Sequence, residues 1–166
     1  LEVDVAVLHG PSGCSFKHAR LLEEDGMRVL TTSLADHEFI FGGQEPLERV
    51  LRYAEEQFHP HRMAVVGTCV SMIIGEDLKS AVTLSGVSTP TIAIEIHAGY
   101  PENIEGVIAT LEPAAEAGWI SADELERQKY LLGMANEVER LRGAACKPYI
   151  EPSRGDLKHL VAGRLA

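Results

Sequence analysis

Residues 3–14 read Val-Asp-Val-Ala-Val-Leu-His-Gly-Pro-Ser-Gly-Cys, and this stretch determines the predicted fold. Apart from Asp4, residues 3–8 form a continuous apolar run that is short enough for a buried strand, and the Gly-Pro turn closes it. A helix is expected from about Cys14 to Asp25, where Gly26 ends it. Cys14 therefore stands where a buried strand gives way to a helix.

A second cysteine occupies the same kind of position further along the chain. Met63 to Val66 is a predicted strand, and it runs into Gly67, Thr68 and Cys69. At a helix N-terminus the peptide dipole and unpaired N–H groups stabilise thiolate over thiol, and thiolate is the form that binds metal. Because cysteine also serves as a small buried apolar residue, a structural role is the alternative.

The rest of the chain alternates strands with helices. Further strands are predicted at residues 27–32 and 91–96, and residues 36–43 are predicted as a loop. Helices are predicted from Glu45, over residues 76–82, where two carboxylates come first, and over residues 103–117. Two more helices are predicted, one after the Ser121/Glu124 capping box and one after Pro152-Ser153. Such alternation implies right-handed crossovers and a parallel sheet. The predicted fold class is α/β, a Rossmann-like parallel sheet flanked by helices, as one domain over residues 1–166.

Composition excludes several classes of protein. A net charge of −10 repels a phosphate backbone, so nucleic acid is not an expected partner. No apolar run reaches the length of a membrane span and no signal peptide is visible, so a cytoplasmic protein is expected. Three cysteines at unlike spacings do not form a disulfide framework. The chain opens on Leu1 and is expected to be an N-terminal piece of a longer multidomain polypeptide.

The predicted topology brings the distant cysteines to one edge. In an open parallel sheet the turns that follow the strands lie at the carboxyl edge, where ligands bind. The turns at Cys14, residues 36–43, Cys69 and residues 97–100 are expected there together. The two cysteines are then candidates to ligate one inorganic cluster.

Three glycines and a dimer would complete that cluster site. Gly10, Gly13 and Gly67 would let the backbone approach the cluster and donate N–H bonds to its sulfides. Two thiolates supply half of the four ligands of a 4Fe–4S cubane. A two-fold dimer supplies the others most simply, since it duplicates Cys14 and Cys69. Aspartate, water or polypeptide outside this chain are the alternatives.

These motifs resemble a known family over nearly the whole chain. The turns at residues 9–14 and 67–77 resemble the cluster-cysteine turns of nitrogenase component 1 proteins, and residues 97–100 resemble a later turn of the same family. Within that superfamily, residues 14–26 and 152–159 also resemble the catalytic subunits of Ni-sirohydrochlorin a,c-diamide reductive cyclases.

The resemblance implies a function. It implies a homodimeric iron–sulfur subunit that receives electrons from a nitrogenase-iron-protein-like ATPase and passes them to a nickel tetrapyrrole. ATP would be hydrolysed on that partner, which agrees with the absence of a phosphate-binding Gly-x-x-x-x-Gly-Lys loop here. The resemblance also implies that the product would belong to the biosynthesis of the nickel coenzyme of methanogenesis. His97 and Tyr100 are expected to face the tetrapyrrole; alternatively, Gly99 and Pro101 simply make the turn.

The chain departs from the family at one point. Relatives usually offer three cysteines per subunit, the first upstream of the Gly-Pro turn, and no cysteine precedes Cys14 here. Either the preceding segment is missing or the cluster takes two cysteines from each of two subunits. Two other functions remain open: a nitrogenase-like cofactor assembly scaffold, and a flavodoxin-like small-molecule binding domain without a cluster.

Overall fold

The computed structural model describes residues 1–24, 26–96 and 103–143. The chain divides into two compact units, residues 1–99 and residues 100–166. The single-domain organisation expected from the sequence stays a prediction. The C-terminal helix predicted after Pro152 lies outside the described residues, as does Cys146.

The first unit is built on a parallel sheet. Within the described residues its four strands are β1 (Val5–His9), β2 (Arg28–Thr31), β3 (Met63–Gly67) and β4 (Thr91–Ile94). They lie in the order β2-β1-β3-β4, and each neighbouring pair is parallel. Every residue of β1 is buried, which explains why its sequence is apolar without alternation. The predicted α/β parallel-sheet class is confirmed.

Helices connect the strands. They are α1 (Ser12–Glu24), α2 (Glu38–Phe41), α3 (Gln44–Phe58), α4 (Cys69–Ile73) and α5 (Leu78–Ser85). A hydrophobic core cluster forms where α3 and α5 pack on one face of the sheet. Its members are Val5, Val7, Leu47, Leu51, Ala54, Met63, Val65, Leu78, Ala81 and Ala93. Burial of these side chains is the main stabilising contribution of this unit.

Two local predictions were wrong. Residues 36–43 contain the short helix α2, because the Glu38 carboxylate accepts the Ala35 N–H at 2.6 Å and Gly42, at φ 96°, ends the turn. The helix predicted to begin on Glu76 begins at Leu78, with Asp77 as its N-cap. Glu76 instead contacts Gly43 and His9, which are distant in the sequence.

The second unit is described over two helices. They are α6 (Asn103–Glu116) and α7 (Ala122–Gly143). Ser121 Oγ accepts the Glu124 N–H at 3.1 Å, as the capping pattern predicts. On α7, Leu132 and Ala135 are buried, whereas Val138 is half-exposed. Among the described residues, no helix combines the length and apolarity that crossing a bilayer requires.

Candidate metal centre

Both cysteine turns lie beside the point of the sheet where successive strands change from one side of β1 to the other. β2 lies on one side of β1, whereas β3 and β4 lie on the other. The carboxyl ends of β1 and β3 flank this topological switch point, where open parallel sheets bind ligands. Cys14 follows β1 along the chain and Cys69 follows β3. The sheet therefore brings the two predicted ligands to its most favourable binding position.

The first cysteine turn is a tight connection into α1. Cys14 N–H donates to the Pro11 carbonyl at 3.2 Å, and both the N–H and the hydroxyl of Ser15 donate to the same oxygen at 3.2 Å. These bonds fix the first turn of the helix, with Ser15 buried and Cys14 exposed. The thiol is thus held on a rigid support at the surface.

The second cysteine turn is fixed by an N-cap side chain. Thr68 is the N-cap of α4: its side-chain oxygen accepts the Ser71 N–H at 3.5 Å. The buried Ser71 hydroxyl donates back to the Thr68 carbonyl at 2.8 Å. Cys69 is the first residue of α4 and is exposed. The expectation that each cysteine lies at the start of a helix is confirmed.

The two turns are in direct contact. Thr68 N–H donates to the His9 carbonyl at 3.0 Å, which extends the β1–β3 pairing beyond its last residues. A Cβ added to Gly10 would lie 2.1 Å from Thr68 Oγ1. The Thr68 side chain thus fills the space that a side chain at Gly10 would need. This close approach links the Cys14 turn to the Cys69 turn.

The three predicted glycines have different surroundings. The Gly10 N–H donates to Thr32 Oγ1 at 3.0 Å. A Cβ at Gly67 would meet Leu78 and Met72 at 2.8 and 3.0 Å, so this glycine allows close packing. Gly13 alone among the three has open space around it. Their contact with a cluster stays a prediction, and Gly13 is the glycine with room for one.

A buried ionisable pair lies beneath the two turns. The His9 side chain is fully buried and that of Glu76 is 7% exposed, with His9 Nε2 3.6 Å from Glu76 Oε2. His9 Nδ1 lies 3.1 Å from Thr32 Oγ1. Glu76 Oε1 accepts the Gly43 N–H. The sequence pattern placed His9 in the turn at residues 9–14 and Glu76 at the start of a helix, so it did not predict this pair.

His9 makes stability dependent on pH. Burial lowers the pKa of the imidazole below its ordinary value, although the Glu76 carboxylate partly opposes this effect. The unfolded chain therefore binds a proton on this imidazole more tightly than the folded chain does. The contribution of His9 to the free energy of unfolding is complete above the pKa of the unfolded chain, about 6.5, and is lost as the pH falls through the pKa of the folded protein. The free energy of unfolding of the wild type should fall more steeply than that of His9→Asn between about pH 7 and 5.

The matched control for this prediction is the exposed His59, which ends α3. His59→Asn also replaces a histidine by asparagine, but outside the His9–Glu76 pair and at a left-handed position that asparagine tolerates. Urea titrations at several pH values measure the effect. Equal slopes for the wild type and His9→Asn would contradict it.

Four large apolar side chains are exposed on segments that follow the strands of the sheet. Phe16 on α1, Ile73 on α4, and Ile40 and Phe41 on α2 are 70%, 76%, 77% and 85% exposed. We call these four residues the apolar rim. All belong to segments that follow the carboxyl ends of parallel strands. Exposed large apolar side chains that gather on one part of a surface are typical of an interaction site.

Other predicted site residues cannot be placed. His97 and Tyr100 lie outside the described residues. Within residues 1–24, 26–96 and 103–143, no group of three or more His, Cys, Asp or Glu side chains is arranged to hold a metal ion. Cys14 and Cys69 stay candidate ligands, and the identity of any further ligand stays open.

Comparison with known proteins identifies the family. Residues 4–117 match the family described as nitrogenase component 1 type oxidoreductase. The chain is 56% identical over 165 residues to the CfbD component of the Ni-sirohydrochlorin a,c-diamide reductive cyclase complex of Methanosarcina acetivorans, covering 99% of this chain and 45% of that protein. It is 52% identical over 167 residues to the same component from Methanothermobacter thermautotrophicus, covering 99% and 46%.

A solved nitrogenase structure, Cp1 at pH 6.5, has the same fold. It aligns with a TM-score of 0.60 and 20% identity, over 68% of this chain and 26% of its own. The chain spans about half the length of the curated relatives it matches. With its family match over residues 4–117 and its parallel α/β sheet, the chain belongs to the nitrogenase component 1 type oxidoreductases.

Proposed function

We propose that this chain forms the iron–sulfur-ligating part of a nitrogenase-like, ATP-dependent reductive cyclase acting on Ni-sirohydrochlorin a,c-diamide. The observation that carries the proposal is the position of Cys14 and Cys69 on contacting turns at the switch point of the sheet. The names and high identity of the reductive cyclase relatives supply the substrate. The product would enter the biosynthesis of the nickel coenzyme of methanogenesis.

The donor set fits a shared 4Fe–4S cluster. Cys14 and Cys69 would supply two thiolates, and their exposure leaves both able to meet a ligand outside the chain. A second copy of the chain would supply two more through a two-fold axis. The apolar rim supports this arrangement, because burying Phe16 and Ile73 against a partner would stabilise the dimer and exclude water from the centre.

The cluster would supply one-electron transfer, and the protein residues would hold and shield it. The hydrogen bonds of the two turns would hold both cysteines in place before the metal binds, which would reduce the ordering cost of ligation. Gly13 leaves open space beside Cys14. His97 and Tyr100 are proposed to face the tetrapyrrole. Electrons would come from a nitrogenase-iron-protein-like ATPase, on which ATP is hydrolysed, in a cytoplasmic complex.

The test is anaerobic purification of the protein containing this chain, followed by iron and sulfide analysis, sedimentation and assay. We expect about two irons per chain, because one four-iron cluster is shared by two copies. We also expect reduction of Ni-sirohydrochlorin a,c-diamide only when the ATPase partner and ATP are both present. Iron without partner-dependent reduction would instead indicate an assembly scaffold. Absence of iron would indicate a small-molecule binding domain and would overturn the proposal.

A further inference from the structure

Glu76 is the one buried carboxylate that joins three separate segments of the described carboxyl edge. It follows α4, so it belongs to the segment that carries Cys69. Its Oε1 accepts the N–H of Gly43, which lies before α3, and its Oε2 faces the His9 ring at the end of β1. The Glu76 N–H donates to the Ser71 carbonyl at 3.0 Å, which holds its backbone against α4.

The packing around this carboxylate leaves little freedom. A Cβ at Gly43 would lie 2.9 Å from both His9 Cε1 and Leu34 Cδ2, so the Gly43 backbone packs directly on the imidazole. Gly75, at φ 80°, reverses the chain so that Glu76 points inward. The ring, the glycine backbone and the carboxylate therefore form one close-packed group beneath both cysteine turns.

The two ring nitrogens of His9 have different surroundings, and the Glu76 carboxylate faces one of them. His9 Nδ1 is within hydrogen-bond distance of Thr32 Oγ1. His9 Nε2 is buried and has no hydrogen-bond partner, since Glu76 Oε2 at 3.6 Å is beyond bonding distance. A buried nitrogen facing a buried oxygen needs a proton between them, on one atom or the other. The Glu76 carboxylate therefore lies opposite the one side-chain nitrogen of His9 that has no hydrogen-bond partner.

We propose that Glu76 is a positioning residue for the candidate metal centre: its carboxylate, held by the Gly43 N–H and facing His9, fixes the spacing between the Cys14 turn and the Cys69 turn. This inference rests on the proposed cluster-ligating role of the two cysteines. Glu76 does not itself touch the cluster in this account. It acts through His9, which leads into the first turn, and through α4, which carries the second thiol.

The neighbouring Asp77 is a matched control. It is also a carboxylate, but it caps α5 by accepting the Ser80 N–H at 2.9 Å and the Ser80 hydroxyl at 2.8 Å. Asp77→Ala removes an N-cap and destabilises the protein without changing the contacts between the cysteine turns. Any effect found for Glu76→Ala and absent from Asp77→Ala is therefore specific to positioning.

The experiment measures cysteine spacing without metal. In the Cys146→Ala background, Cys14 and Cys69 are the cysteines left within residues 1–166, and any cysteine outside this range is also replaced by alanine. The metal-free protein is treated with bifunctional thiol reagents of graded spacer length, and links within one chain are separated from links between chains. The wild type should favour one spacer length, by at least about tenfold in rate over the others, because rigid turns fix the spacing. Glu76→Ala should lose most of this selectivity, Glu76→Gln should lose part of it, and Asp77→Ala should keep it.

A second measurement uses the metal-loaded protein. The electron paramagnetic resonance spectrum of the reduced cluster should broaden in Glu76→Ala and Glu76→Gln and stay unchanged in Asp77→Ala. If both Glu76 variants match Asp77→Ala in spacer selectivity and spectrum, the positioning role is wrong. If the wild type holds no iron, the proposed function fails, whereas spacer selectivity still decides the role of Glu76. Glu76→Gln keeps the test decisive if the alanine variant does not fold.

Discussion

Anaerobically purified Cys14→Ala and Cys69→Ala proteins are expected to contain less than about a tenth of the wild-type iron. The reason is symmetry: in a two-fold dimer each substitution removes two of the four thiolates of a shared cluster. The two remaining thiolates cannot hold a cubane against loss to solvent. Iron and sulfide analysis, together with the visible absorbance of the cluster, measures the effect.

The fold itself should survive these substitutions. Both cysteines are exposed and neither belongs to the buried cluster of the sheet, so alanine should change the free energy of unfolding by less than about 0.5 kcal/mol. Cys146→Ala is the matched control and should keep the wild-type iron content. A Cys69→Ala protein that retains full iron would exclude Cys69 as a ligand.

Gly10→Ala is expected to cause the largest loss of stability among single glycine substitutions at this edge. The added Cβ would lie 2.1, 2.6 and 2.9 Å from Thr68 Oγ1, Cγ2 and Cβ. Rotating the Thr68 side chain relieves the first two contacts but leaves its Cβ in place, so the backbone of one turn must move. Overpacking of this kind costs about 1–3 kcal/mol. The midpoint of chemical denaturation should fall accordingly.

Gly13→Ala provides the comparison. Nothing lies within 4 Å of a Cβ at that position, and it is in the first turn of α1. Alanine there should leave stability unchanged or raise it by up to about 1 kcal/mol, because it reduces the freedom of the unfolded chain. Loss of iron from a stable Gly13→Ala protein would support contact between this glycine and the cluster. Equal stability of the two alanine variants would contradict the packing account of Gly10.

The sequence predicted those features that depend on local pattern. The apolar run before His9 and the apolar spacing after Glu45 each belong to one element, so periodicity alone indicates β1 and α3. The cysteine positions followed from the general rule that turns after parallel strands share an edge. The order of the strands was not predicted, because nothing local distinguishes which neighbours pair. That order is what puts both cysteines at the switch point.

Contacts between distant segments account for what the sequence did not predict. The acidic pair at residues 76 and 77 is typical of a helix start, and Asp77 does cap α5. Glu76 contacts Gly43 and His9, which lie far away in the sequence. Short apolar helices such as α2 are equally difficult, since none of its residues is buried and no periodicity marks it. The signals available in retrospect are the glycine pair at residues 42 and 43 and the inward turn at Gly75.

The central position of β1 has a consequence for the mobility of the centre. Its residues pair with β2 on one side and with β3 on the other, so its backbone amides can exchange with deuterated solvent only when the sheet itself opens. The Cys14 turn directly follows this strand along the chain. Local fraying at the edge strands β2 and β4 therefore leaves undisturbed the backbone that leads into the Cys14 turn.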